Sequence, residues 1–178
     1  MAHVATTPTT CLIFLLTYMA TLDELCQKGA LVRIELALSP REFEDRVFYA
    51  YPDFRDWLFG PVKKAKPLDR FNLAPRFQAH ALLHDFVVGK PLRVGRAFKR
   101  MRPHEHDVFE LVTPDLRIFG WFPKKDAFIA VAGDFMEKTH GHDLYEGYRN
   151  KVVRERERIE LDEPKWLLGA SEDDVISF

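Results

Sequence analysis

The alternation of apolar and polar residues over residues 96–135 constrains the fold of this 178-residue chain more than any other feature. Side chains of a β-strand point alternately to the two faces of a sheet, so a period of two predicts strands. Turn residues divide the stretch into four strands, at residues 97–101, 108–112, 116–122 and 127–135. Because the connections are short, the four strands are predicted to form an antiparallel meander.

Upstream of the meander, the pattern changes from strand to helix. Residues 31–38 alternate apolar with charged or small residues, so a first strand is predicted there. Ser39 and Glu42 have the spacing of a capping box, which predicts a helix over residues 39–50. Residues 75–88 carry apolar side chains at helical spacing and predict a further helix.

Shorter signals complete the assignment. Thr21 and Glu24 form a capping-box pattern that predicts a helix at residues 21–28, and Asp53 is predicted to cap a short helical turn. Residues 142–161 place apolar side chains on one helical stripe among interleaved charges. The predicted fold class is therefore α+β, with an N-terminal strand and helices, an antiparallel β-meander and a C-terminal helix.

The net charge of −1 conceals a basic middle block. Residues 62–104 contain eleven Lys or Arg and two Asp or Glu, a net charge of +9, whereas residues 1–61 carry −3 and residues 105–178 carry −7. A basic block favours an anion-binding surface, and a solvated surface neutralised by the acidic C-terminal segment explains it equally well. The balance excludes a uniformly basic nucleic-acid clamp.

The N-terminal region contains both cysteines of the chain and an apolar run. Cys11 and Cys26 are too few for a disulfide framework, so a cytoplasmic, reducing compartment is predicted. The apolar run at residues 11–20 is too short to span a bilayer and no Lys or Arg precedes it, so neither a membrane span nor a secretory signal is predicted. Met19 looks like a conventional start, and residues 1–18 are interpreted as a packed arm or an upstream extension.

Three histidine pairs have spacings that occur in metal sites: His80 with His84, His104 with His106, and His140 with His142. The first pair lies one helical turn apart, but no carboxylate with ligand spacing accompanies it, which favours a structural role. The other two pairs would have to converge on zinc, and they lack a supporting carboxylate or thiolate. Neither a metal nor another cofactor is predicted.

The third meander strand combines a cation with aromatic side chains. Arg117, Phe119 and Trp121 share one face of that strand, because side chains alternate along it. An arginine that holds a phosphate beside rings that stack on bases suits single-stranded RNA. The alternative is that Phe119 and Trp121 pack beneath a helix while Arg117 reaches the rim.

Further cations and candidate proton carriers lie just before this strand. Lys99, Arg100 and Arg102 lie in and beside the first meander strand, and His104 and His106 lie in the connection that follows. Cleavage of RNA by its own 2′-hydroxyl needs a base, cations that stabilise the phosphorane, and an acid for the leaving oxygen. Histidine titrates in the useful range, and a polar turn explains an isolated His-x-His pair equally well.

Four short motifs follow one another in the meander: Phe98-Lys99-Arg100-Met101, Phe109-Glu110-Leu111, Leu116-Arg117-Ile118-Phe119, and VAGDFMEKT at residues 131–139. In these motifs and their order, residues 31–161 resemble the RelE/HigB toxins of the RelE/ParE toxin–antitoxin superfamily. The resemblance implies a RelE-like domain over residues 31–161. Residues 1–30 are then an N-terminal extension or arm, and residues 162–178 an acidic C-terminal tail.

The resemblance also implies an activity and partners. RelE/HigB toxins are ribosome-dependent, metal-independent mRNA endonucleases, and a cognate antitoxin, here expected to be of the helix-turn-helix type, neutralises them. Arg117 matches the family's strand arginine at the scissile phosphate, and Lys99 and Arg100 match its basic strand. Lys138 matches the second lysine after the last strand.

The remaining site predictions are less tightly tied to a motif. Arg102 and Trp121 are predicted RNA-binding residues, and His104 or His140 is the predicted proton carrier. His142 and Tyr145 are further candidates near the C-terminal part of the cleft.

Two departures from the family pattern favour a second function. Glu137 stands where the family has the first lysine of its pair, and the chain as a whole is not basic. The same fold can bind a protein target without cleaving RNA. The alternative is therefore a noncatalytic RelE-fold binding or regulatory protein that contacts a protein or nucleic-acid partner.

Overall fold

The computed structural model describes residues 20–141 and 144–177. The helices within them are α1 (Leu22–Gln27), α2 (Pro52–Trp57), α3 (Pro75–Val87), α4 (Met136–Gly141), α5 (Tyr145–Arg158) and α6 (Glu172–Val175). The strands are β1 (Val32–Arg33), β2 (Val47–Ala50), β3 (Phe98–Arg100), β4 (Phe109–Val112), β5 (Leu116–Lys124) and β6 (Ala127–Phe135). A π-helical turn at Leu58–Val62 continues α2, and a 3₁₀ turn at His104–His106 connects β3 to β4.

The six strands form one sheet in the order β1-β2-β6-β5-β4-β3. Strands β3 to β6 pair antiparallel with their sequence neighbours, which confirms the predicted meander. Strand β2 lies parallel to β6, and β1 pairs antiparallel with β2 at the edge. The architecture is α+β with a mostly antiparallel sheet, as the periodicity predicts.

Helices cover both faces of the sheet, and the alternation along β5 divides its side chains between them. Ile118 and Phe122 pack with Phe86 of α3 on one face. Phe119 and Trp121 pack with Val152 of α5 on the other. Burying both faces explains why every residue of β5 before Lys124 is buried.

The ends of the described chain are packed against the sheet. Ala20 is fully buried, its amide donates to the Glu160 carbonyl at 2.7 Å, and the predicted capping box of Thr21 and Glu24 is formed at α1. In the acidic tail, the Leu167 amide donates to the Phe122 carbonyl at 3.0 Å. Residues 20–30 and 162–177 thus contribute to the cores of the same sheet.

The helix predicted over residues 39–50 is wrong, because Val47–Ala50 is strand β2. The local signal is nevertheless real, since the Ser39 amide donates to Glu42 Oε2 at 2.9 Å. Phe48 and Ala50 are completely buried within the sheet, and this tertiary packing outweighs the short-range capping preference. Strand β1 is also shorter than residues 31–38, since only Val32–Arg33 pair as a strand.

Two further details differ from the sequence assignment. Tyr51, not Asp53, is the N-cap of α2, and the helical turns continue through Gly60 and Pro61. The helix predicted at residues 142–161 is observed as Tyr145–Arg158. Across residues 20–141 and 144–177, no helix has the length and apolar character that crossing a membrane requires.

Candidate functional site

A buried carboxylate lies between two cations on the sheet face covered by α5. Glu110 of β4 is fully buried; its Oε2 lies 3.0 Å from Lys99 Nζ and its Oε1 lies 3.2 Å from Arg117 Nε. The pairing register explains the contact, because Lys99 lies directly opposite Glu110, and Arg117 lies diagonally across the β4–β5 pair. The three side chains form one ion cluster, called here the Glu110 cluster.

Arg117 is held firmly within the Glu110 cluster. Its Nη1 donates hydrogen bonds to the carbonyl oxygens of Thr113 at 2.6 Å and Leu116 at 2.8 Å, and only 9% of the residue is exposed. Its Nε faces Glu110. The guanidinium therefore stabilises the β4–β5 turn and the buried carboxylate, and most of its surface is withdrawn from solvent.

An open pocket of about 350 Å³ lies beside this cluster, where β3 meets α5. It is lined by Lys99, Arg100, Met101, Arg102, Glu110 and Tyr145. Three of the six lining residues are cationic and one is anionic, so the pocket carries an excess of positive charge suited to a phosphate. We call it the β3–α5 pocket.

Tyr145 lines the β3–α5 pocket, and a histidine contacts its hydroxyl. The hydroxyl oxygen of Tyr145 lies 2.7 Å from His140 Nε2, and Lys99 Nζ lies 5.8 Å from the centre of the Tyr145 ring. Helix α4 supplies the histidine and α5 supplies the tyrosine. Tyr145 thus contacts both a predicted proton carrier, His140, and a predicted phosphate ligand, Lys99.

A second tyrosine of α5, Tyr148, packs on the sheet near Tyr145 and His140. The Tyr148 ring stacks on Phe119 with centroids 4.7 Å apart, and its hydroxyl donates to Asp134 Oδ2 at 2.5 Å. Burial and this hydrogen bond raise the pKa of Tyr148. Lys138 Nζ lies 4.0 Å from Asp134 Oδ1, with 64% of the side chain exposed, so this predicted RNA-binding cation remains accessible.

The other two predicted cations, Arg100 and Arg102, differ in whether their side chains are available to a ligand. The Arg100 guanidinium pairs with the buried carboxylate of Asp107, which also accepts from the Gly169 amide at 3.1 Å. Arg102 is exposed, and its carbonyl accepts from Arg149 Nη1 at 2.7 Å. Arg100 thus fastens the tail to the β3–β4 connection, while the Arg102 side chain projects beside the pocket.

His104 lies on the exposed 3₁₀ turn and does not line the β3–α5 pocket. The sequence placed His104 and His140 on an equal footing as proton carriers. In the structure, His140 contacts a lining residue of the pocket. His142 lies outside the described residues.

The prediction that the Trp121 ring is available to stack on RNA bases is wrong. The side chain is completely buried, and its Nε1 donates to the Lys165 carbonyl at 3.0 Å. Phe119 is also fully buried beneath Tyr148. The alternative interpretation of this strand is confirmed for both rings, because α5 covers them.

Glu110 is the site residue to which the sequence assigned no role. A signal was present, since antiparallel pairing of β3 and β4 puts Lys99 and Glu110 on the same face. The contact between His140 and Tyr145 had no comparable signal, because the two residues belong to different helices.

Among the described residues, no group of three or more His, Cys, Asp or Glu side chains is arranged to hold a metal ion. His80 and His84 stack with ring centroids 6.2 Å apart, and His84 Nε2 lies 3.1 Å from Glu42 Oε1. This pair therefore ties α3 to the segment before β2.

Comparison of the chain with protein-family models, with curated proteins and with solved structures gave no match.

Proposed function

We propose that this chain is a RelE/HigB-like endoribonuclease that cleaves ribosome-bound mRNA without a metal. The observation that supports the proposal most is that Tyr145, which lines the β3–α5 pocket beside Lys99, also contacts His140. Transesterification of RNA needs a cation and a proton-transfer system close together, and Lys99 with the Tyr145–His140 pair provides both types of group.

The proposed reaction uses the 2′-hydroxyl of the RNA as nucleophile. Neutral His140 takes the 2′-hydroxyl proton, the 2′-oxygen bonds to phosphorus, and the bond from phosphorus to the 5′-oxygen breaks. The Tyr145 hydroxyl gives its proton to the leaving 5′-oxygen and recovers one from His140 through their 2.7 Å contact. The products are a 2′,3′-cyclic phosphate and a 5′-hydroxyl.

The cations have separate proposed roles. Lys99 and Arg102 bind phosphate oxygens at the mouth of the pocket, and Lys138 binds the strand nearby. Arg117 acts through Glu110, because its guanidinium is committed to two carbonyl oxygens and to that carboxylate. In this proposal Arg117 is a positioning residue for Lys99.

The RelE-like fold and its partners belong to the same proposal. The order of strands and helices, with a four-stranded meander after a helical segment, supports the fold assignment. A cytoplasmic location follows from a ribosomal target. A cognate antitoxin of the helix-turn-helix type would neutralise the enzyme.

Induced expression in a bacterial host tests the proposal. We expect wild-type protein to arrest growth and to produce cleaved mRNA, and His140→Ala to do neither. His80→Ala on α3 is the matched control, because His80 is exposed and lies on a helix that packs on the other face of the sheet. Well-folded wild-type protein that leaves growth and mRNA intact would reject the endonuclease.

One observation favours the noncatalytic alternative. Lys99 and Arg117 pair with Glu110, Arg100 pairs with Asp107, and Lys138 approaches Asp134. Carboxylates thus neutralise much of the positive charge around the pocket. RNA binding without cleavage, unaffected by His140→Ala, would support this binding function.

A further inference from the structure

A second basic surface lies away from the β3–α5 pocket, at the connection between α2 and α3. We call it the α2–α3 surface and define it by Lys63, Lys64, Lys66, Arg70, Phe71, Arg76 and Phe77. Helix α3 packs on the sheet face opposite α5, so the two surfaces belong to different faces of the molecule. None of the proposed nuclease residues contributes to it.

Two exposed phenylalanines of this surface each carry an arginine over the ring. Phe71 is 81% exposed and Phe77 is 50% exposed. The Arg70 guanidinium carbon lies 4.7 Å from the Phe71 ring centre, and that of Arg76 lies 4.5 Å from the Phe77 ring centre. Exposing two large rings to water is unfavourable, so these repeated ring–guanidinium pairs suggest a ligand that stacks.

The cations of the α2–α3 surface are not engaged by carboxylates that would compete with an anion. All five are exposed, and none makes an ion pair with another side chain in the described ranges, 20–141 and 144–177. Residues 62–77 contain five Lys or Arg and one acidic residue, Asp69, a net charge of +4. This part of the basic block therefore keeps a net positive charge.

A buried network holds the surface in shape. Asp115, 4% exposed, accepts hydrogen bonds from the Leu68 amide at 3.2 Å, from Asn72 Nδ2 at 3.4 Å and from Gln78 Nε2 at 2.7 Å. Gln78 also donates to the Leu73 carbonyl at 2.7 Å. A loop fixed before binding loses less conformational entropy when a ligand arrives.

We propose that the α2–α3 surface binds single-stranded nucleic acid, with bases stacked on Phe71 and Phe77 and phosphates held by the surrounding cations. Exposed rings alternating with cations are the combination that single strands need, because every unpaired base offers a ring face and every nucleotide carries a charge. A protein partner is less favoured, because a ring capped by a guanidinium presents a cationic stacking unit instead of a continuous apolar patch.

Fluorescence anisotropy with three labelled probes tests this surface: the 12-mers rU12 and dT12, and a 12-base-pair duplex. Stacking and phosphate contacts need no 2′-hydroxyl, so both single strands are expected to bind. The dT12 probe has no 2′-hydroxyl nucleophile, so the nuclease proposed for the β3–α5 pocket cannot cleave it during the measurement, and the Phe71 and Phe77 variants assign the binding to the α2–α3 surface. The duplex, whose bases are already stacked, is expected to bind at least about tenfold more weakly.

Two sets of variants distinguish the contribution of ring stacking to dT12 affinity from the contribution of the cations. Phe71→Ala and Phe77→Ala are each expected to weaken dT12 binding at least about fivefold. Lys64→Gln with Lys66→Gln is expected to reduce the slope of log affinity against log salt concentration by about 1.4, since each phosphate contact on a single strand contributes about 0.7.

Phe43→Ala is the matched control. Phe43 is 75% exposed but lies among Glu42, Glu44 and Asp45, so its removal should leave affinity unchanged. The proposal is overturned if the Phe71→Ala/Phe77→Ala double variant, folded by circular dichroism, binds dT12 like the wild type. It is also overturned if the duplex or a 12-residue polyglutamate binds as tightly as dT12, since charge alone would then explain the affinity.

Discussion

The Oε1 atom of Glu110 lies 3.2 Å from Nε of Arg117, and both side chains are largely withdrawn from solvent. The other carboxylate oxygen holds Lys99 at the β3–α5 pocket. A buried charge is tolerated when it is paired, so the three residues depend on one another. Glu110 thereby links an arginine that fixes the β4–β5 turn to a lysine that faces the pocket.

Replacing Glu110 by Gln is expected to lower the free energy of unfolding by about 2–4 kcal/mol, because Arg117 would then be a buried charge without its partner. Urea denaturation measures the change. Glu105→Gln, an exposed glutamate with a side chain 77% accessible, should alter stability by less than about 0.5 kcal/mol.

A double variant checks the cause of that loss. In Glu110→Leu/Arg117→Met, apolar side chains replace both charges, so much of the stability is expected to return. If Glu110→Gln is as stable as the wild type, the Glu110 cluster does not support the fold as described.

Trp121→Phe is expected to destabilise the protein by about 2 kcal/mol and to leave its affinity for RNA unchanged. The variant loses the hydrogen bond from Nε1 to the Lys165 carbonyl and leaves a small cavity in the core. Urea denaturation and anisotropy with rU12 measure the two quantities. Weaker RNA binding by a variant of full stability would mean that the ring does contact the ligand.

The sequence predicted on which face of the sheet each meander side chain lies, but it did not predict whether that face is covered. Alternation correctly separated Phe119 and Trp121 from Ile118 and Phe122. Whether a face is open or covered depends on where α5 docks, and no local pattern contains that information. The covered interpretation was one of the two alternatives that the sequence left open.

The segment before β2 shows the limit of local capping signals. Ser39 and Glu42 make the hydrogen bond of a capping box, but residues 47–50 join the sheet between β1 and β6. Burial of Phe48 and Ala50 depends on residues far away in the chain, including β6. The contact of His140 with Tyr145 joins residues only five apart, but it spans the connection between α4 and α5 and so is not given by the periodicity of either helix.

The Ser39–Glu42 contact predicts a specific response to acid. Hydrogen bonds from the backbone and side chain of Ser39, followed by interaction with His84, lower the pKa of Glu42 from 4.5 to about 2. A carboxyl whose pKa is lower in the folded state stabilises it above pH 4.5, and this contribution is lost as pH falls from about 4.5 to about 2.

Glu42→Gln should therefore flatten the dependence of melting temperature on pH within that window. Calorimetry from pH 2 to 6 measures it, with Glu105→Gln as the reference variant. A wild-type slope retained in Glu42→Gln would contradict the assigned contact.

Asp115→Ala is expected to loosen the basic connection between α2 and α3. The substitution removes the acceptor for Leu68, Asn72 and Gln78, and buried donors without partners are costly. Trypsin should then cleave after Lys64 or Arg70 several times faster than in the wild type. Glu105→Gln, at an exposed position outside this connection, keeps the Asp115 network and provides the comparison. Equal cleavage rates in Asp115→Ala and the wild type would show that this network does not hold the loop.

The endonuclease proposal is tested most sharply by the chemistry of the RNA ends that purified protein produces on ribosome-bound mRNA. We expect 2′,3′-cyclic phosphate and 5′-hydroxyl ends, with a rate reduced by about 10²-fold or more in His140→Ala and unchanged in His80→Ala. Intact mRNA with folded wild-type protein, or cleavage at the same rate by His140→Ala, would contradict it.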